Sequence, residues 1–213
     1  ISLALLAGDG LIVMAYQVLI KAGRHHPKRT MALLDNLSQG VGLPNGIVAG
    51  QAWECETSAD LAHYQRSKTG ALFVSATCAG AIASGQSPKP WAALGAYLGE
   101  AYQVADDIRD VLGDIAMLGK PVGQDKLNER PSSAQAMGLE GAIQHFDSLI
   151  EKAGSAIPAC ACREMLMQLV LLESQRLVPK SMCEDYRNRA ASAKPSKPKT
   201  ARVRATRQQQ IIQ

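Results

Sequence analysis

Three aspartates fall within five residues of the stretch AYQVADDIRD, Ala101 to Asp110. Carboxylates this close repel one another unless water or a cation lies between them. Helical spacing puts Asp106 and Asp110 one turn apart on a single face, with Asp107 rotated to one side and Gln103 joining the same face. Oxygen donors in that pattern suit a hard divalent cation such as Mg²⁺, which takes one or two carboxylates and keeps several waters. The alternative is a solvated face on which Arg109 screens the acids. In RSKTGAL, Lys68 and Thr69 offer an ammonium and a hydroxyl at the border of a helix rich in small residues. In GKPVGQD, Lys120 sits in a loop ten residues after Asp110. Lysines beside metal-binding aspartates describe a site for a polyanion bridged to Mg²⁺, most simply a diphosphate.

The elements that must carry these groups are helical. The 213-residue chain is 46% hydrophobic but only 4% aromatic, and Ala, Leu, Ile, Val and Met suit close helix packing better than a β-sandwich. Strand-like alternation is nearly absent, so the fold class expected is all-α. Periodicity and Gly/Pro breaks predict helices over residues 3–22, 28–39, from Ile47, from about Leu61 through the KTG run, 91–113, 134–153 and 160–178. The first of these, LALLAGDGLIVMAYQVLIKA, is interrupted by Asp9 and Gln17 and has no basic leader, so a buried helix rather than a membrane span or signal peptide is expected.

From Ala191 onward there are six Lys/Arg and no acid; the rest of the chain holds 17 basic and 19 acidic residues. The body is mildly acidic and carries no basic stripe for nucleic acid. The tail, 191–213, is expected to be disordered, outside a domain spanning 1–190. Five cysteines without a CxxC pair fit free thiols in a reducing compartment, and His25 and His26 in a Pro-containing turn make no zinc site.

The ordered set LAGD, GQxxE, KTGAL, QVADDIRD, GKPVGQD and NERPS resembles the short-chain trans-polyprenyl diphosphate synthases, especially geranylgeranyl diphosphate synthases of bacterial carotenoid and chlorophyll pathways. The likeness covers Ala7 to about Ala142, more weakly to Leu177. It implies a helical bundle around a central apolar cavity, and a homodimeric cytoplasmic prenyltransferase without a transmembrane segment. Such an enzyme condenses an allylic diphosphate, here farnesyl diphosphate, with isopentenyl diphosphate, using Mg²⁺ or Mn²⁺ in its place. Carried over residue by residue, Asp106, Asp107 and Asp110 match the family's second aspartate-rich motif, with Asp106 and Asp110 facing the metal. Lys68, Thr69 and Lys120 match positions that steady the allylic diphosphate, and Gln103 a glutamine near its first carbons. Gln51 and Glu54 fall in a Gly-Gln-x-x-Asp pattern with Glu replacing Asp. Asp125 matches an acid supporting the metal's waters, Arg130 a basic residue that closes the site, and Gln124 departs from the Lys of many relatives.

The resemblance also places the family's first aspartate-rich motif upstream of Leu6, so the chain is expected to be the C-terminal portion of a longer enzyme. Two other readings compete. One is a non-catalytic partner of the same fold that modulates an active synthase. The other is a terpene cyclase, disfavoured by Lys68, Lys120 and the lack of an Asn/Ser/Glu metal motif.

Overall fold

The computed structural model describes residues 3–53, 66–112 and 133–192. Helix α1 spans Leu3–Ala22 and leads through a 3-10 turn, Gly23–His25, into α2, Pro27–Val41. Pro27 opens α2, where a missing N–H leaves no hydrogen bond unmade. A short α3, Ile47–Ala52, precedes a π-helical turn, Arg66–Gly70, which runs straight into α4, Ala71–Ala83. After a 3-10 turn at Lys89–Trp91 come α5, Ala92–Leu112, α6, Ser133–Ser155, α7, Arg163–Leu177, and α8, Lys180–Ser192. Among the described residues there is no strand, as the composition predicts. Cys78, Cys160, Cys162 and Cys183 are free thiols, also as expected.

Helix α5 is the axis of the molecule, packed on one side by α6 and on the other by α4. Its Ala101, Val104, Ala105 and Ile108 are buried against Ala142, Ile143 and Phe146 of α6. Burying side chains such as Val104 and Ile108 stabilises by about 1.5–3 kcal/mol each. On the α4 side the contact is made backbone to backbone: a Cβ added at Gly99 would lie 2.6 Å from the Cα of Gly70. That glycine pair brings the π-helical turn onto α5. Helix α6 bends at Gly138, whose φ of 70° is a left-handed conformation that glycine adopts without strain.

Helix α1 departs from expectation, because none of its residues is buried. Leu3, Leu11 and Val18 are 83%, 63% and 58% exposed, and Asp9 is exposed with them. Within the described residues α1 packs on α2 and the following turn. One neighbouring helix cannot cover a helix that is apolar on every side. By length and composition alone, Leu3–His25 is also long and apolar enough to cross a membrane.

Candidate functional site

Asp107 anchors the site. It is 1% exposed, and both of its carboxylate oxygens accept hydrogen bonds. The backbone N–H of Ser133, first residue of α6, donates to Oδ2 at 2.6 Å, and Gln103 Nε2 donates to Oδ1 at 3.1 Å. The first bond satisfies one of the N–H groups that a helix start leaves without an intrahelical partner. The second fixes Gln103 along its own helix, at the i, i+4 spacing where side chains meet.

Gln103 then reaches a third element. Thr69 Oγ1 donates to Gln103 Oε1 at 3.1 Å, so Thr69, Gln103, Asp107 and Ser133 form one chain of hydrogen bonds across the π-helical turn, α5 and α6. Lys68, next to Thr69, is half-buried. Its backbone is pressed against α3 at Gly50, where an added Cβ would collide with the Lys68 N and Cα. Gln51 follows Gly50 on α3 and is exposed, so the GQ pair stands beside the Lys-Thr pair.

The three aspartates do not share one environment. Asp110 is 6% exposed, while the Asp106 side chain is 36% exposed and meets Arg109 Nη2 at 3.4 Å. Arg109 also lies over the ring of Tyr102, 5.9 Å from its centroid, and Tyr102 packs on Phe73 of α4 at 5.4 Å between ring centres. Arg109 thus screens Asp106. Among the described residues no group of three His, Cys, Asp or Glu side chains converges to hold a metal by itself. The donor set nonetheless fits Mg²⁺: Asp106 and Asp110 stand one turn apart, and one or two carboxylates suffice when substrate phosphates and water complete the shell.

Glu54, Lys120, Gln124, Asp125 and Arg130 lie outside the described residues. The sequence reading missed the Ser133 N–H that Asp107 holds, the Gly70–Gly99 contact, and the Glu100–His145 bond of 3.1 Å between α5 and α6. The i, i+4 spacing of Gln103 and Asp107 was the one local signal that Asp107 has a partner on its own helix.

Below this cluster a cavity of about 610 Å³ runs between α2, α4 and α5. Glu100 and Ala96 bring it along the face of α5 that carries Gln103 and Asp107, and Ser67 and Gly70 put its upper end beside Lys68 and Thr69.

A polyprenyl synthetase family model matches residues 1–161. Among curated proteins, the chain is 46% identical over 177 residues to a geranylgeranyl diphosphate synthase of Cereibacter sphaeroides, covering 83% of this chain and 62% of that protein. It is 44% identical over 176 residues to the geranylgeranyl diphosphate synthase of Rhodobacter capsulatus, with 83% and 61% covered. The chain thus spans about three fifths of the length of these two relatives. Among solved structures, a Helicobacter pylori geranyltransferase complexed with magnesium and isoprenyl diphosphate superposes with a TM-score of 0.69 at 27% identity, over 80% of this chain and 59% of that one. With the aspartate-bearing axial helix and the Lys-Thr turn joined as described, this all-α chain belongs to the polyprenyl synthetase family.

Proposed function

We propose that the protein is a prenyltransferase that condenses an allylic diphosphate, farnesyl diphosphate, with isopentenyl diphosphate to give geranylgeranyl diphosphate. The observation that carries this reading is the Thr69–Gln103 bond of 3.1 Å, which ties the Lys-Thr turn to the aspartate helix. A cationic grip and an anionic grip thereby stand on one wall above the cavity between α2, α4 and α5. The 46% and 44% identical relatives support the choice of product.

In this reading Asp106 and Asp110 hold Mg²⁺, or Mn²⁺ in its place, and Asp107 keeps their helix in position. The metal supplies charge neutralisation for the departing diphosphate. Lys68, with Lys120 and Arg130, binds the phosphoryl oxygens and stabilises negative charge as the allylic C–O bond breaks. Gln103 orients the substrate's first carbons, Gln51 adds to substrate binding, and Glu54 and Asp125 support the metal's waters. The cavity shields the carbocation from water while the isopentenyl double bond attacks it and a proton leaves.

A second copy of the chain would cover the apolar surface of α1, giving a soluble cytoplasmic homodimer; light scattering is expected to report twice the 22.7 kDa chain mass. The reaction is tested with labelled isopentenyl diphosphate, farnesyl diphosphate and Mg²⁺. It is run on this chain and on a chimera that adds the portion of the Cereibacter relative outside the match. Geranylgeranyl diphosphate is the expected product. No product from either folded protein would refute the proposal and favour a non-catalytic partner subunit.

A further inference from the structure

The loop between α6 and α7 carries a pair of thiols that the site above does not use. Of the four described cysteines, Cys78 and Cys183 are buried, while Cys160 and Cys162 are exposed. Burial also pushes the Cys78 and Cys183 thiols up, which keeps them protonated and poor nucleophiles. The loop is held from beneath. Ile157 is 2% exposed and packs with Leu94 and Ala153, and Arg163 Nε donates to its carbonyl oxygen at 3.0 Å. The backbone N–H of Arg163 donates to the Cys160 carbonyl at 3.2 Å, closing a turn over Cys160, Ala161, Cys162 and Arg163. Cys162, with φ −103° and ψ 17°, has the backbone of the third residue of a type I turn. A chain bent in this way leaves the Cα atoms of its first and third residues roughly 5.5 Å apart, inside the range of about 4.4–6.8 Å that a disulfide spans.

We propose that Cys160 and Cys162 form a redox-modification site, a dithiol that low-molecular-weight disulfides of the glutathione class oxidise to a reversible Cys160–Cys162 bond. One cysteine, as thiolate, attacks a sulfur of the small disulfide, forming a mixed disulfide and releasing one small thiol. The other cysteine then attacks the protein-bound sulfur, so that the protein S–S bond forms and the second small thiol leaves. Two protein thiols become one disulfide and one small disulfide becomes two thiols. Two electrons pass from protein to oxidant, and both protons end on the small thiols. The second step outruns a second glutathione because the attacking sulfur is tethered, at an effective concentration on the order of millimolar or above. A bond that spans one intervening residue and faces solvent is readily reduced again, so it marks the protein rather than staples it. The same spacing is too short for a zinc half-site. Helix α6 sets the loop on the order of 30 Å from Ser133 and the aspartates, so the inference goes beyond the prenyltransferase reading and stands without it.

The test treats the full chain, reduced and freed of thiol, with oxidised glutathione, then alkylates and digests it with trypsin. Cleavage after Lys152 and Arg163 leaves both cysteines on one peptide, residues 153–163. That peptide is expected to be lighter by two hydrogens than its reduced form, to carry neither alkyl group nor glutathione, and to return to the dithiol with dithiothreitol. Cys160→Ser removes one thiol at an exposed position, so the fold is kept, and is expected to trap glutathione on Cys162. Retention of two glutathiones, alkylation of both cysteines, or linkage of either to a different peptide in the unaltered protein would overturn the inference.

Discussion

Asp106→Ala and Asp110→Ala are each expected to lower turnover by about a hundred- to a thousand-fold in the labelled-isopentenyl assay, the scale seen when one charge-stabilising group is removed from a reacting centre. The two differ in what else they disturb. Asp106 is partly exposed and its contact with Arg109 is long, at 3.4 Å, so its loss should change stability by no more than about 0.5 kcal/mol. Asp110 is buried, so Asp110→Asn, which keeps the shape, is the cleaner variant for thermal comparison. Activity close to that of the unaltered protein in both alanine variants would remove these residues from the metal site.

Asp107→Ala is expected to act first on the fold. It strands the Ser133 N–H at the start of α6, which is buried, and the Gln103 amide, which is half-buried. Leaving such donors without an acceptor costs about 3 kcal/mol in all, which in a chain of this size lowers the melting temperature by roughly 10 °C. Asp107→Asn retains one carbonyl acceptor and should fall between the two. A melting temperature unmoved by Asp107→Ala would show that the buried carboxylate does not hold α6 to α5.

Much of this arrangement is written locally. The span 91–113 anticipates α5, Ala92–Leu112, closely, because a helix of small apolar residues with one polar face announces its own period. Lys68 and Thr69 beside the aspartates are read from the residue types as a polyanion site and then matched by the resemblance, and the Thr69–Gln103 bond ties the two groups together. The division of labour among the aspartates was not legible, since what distinguishes Asp107 is a backbone N–H 26 residues away. Nor was the exposure of α1, because an apolar helix has the same sequence whether its own chain or another surface covers it. Helix α8, KSMCEDYRNRAAS, was missed because its polar composition gives no strong apolar stripe, although Cys183 is buried in the core.

The chain of bonds from Ser133 to Thr69 also has a direction. An aspartate carboxylate accepts and does not donate, so Gln103 must turn its amide nitrogen toward Asp107 and its carbonyl toward Thr69. Thr69 is then obliged to point its only hydroxyl proton at Gln103, and what it presents to the site is lone pairs. A phosphate oxygen finds no donor there, whereas an ammonium or a metal-bound water does. The sign of one buried side chain on α5 thus decides, two bonds away, that the hydroxyl of the Lys-Thr pair receives hydrogen bonds and leaves the anion to its lysine neighbour.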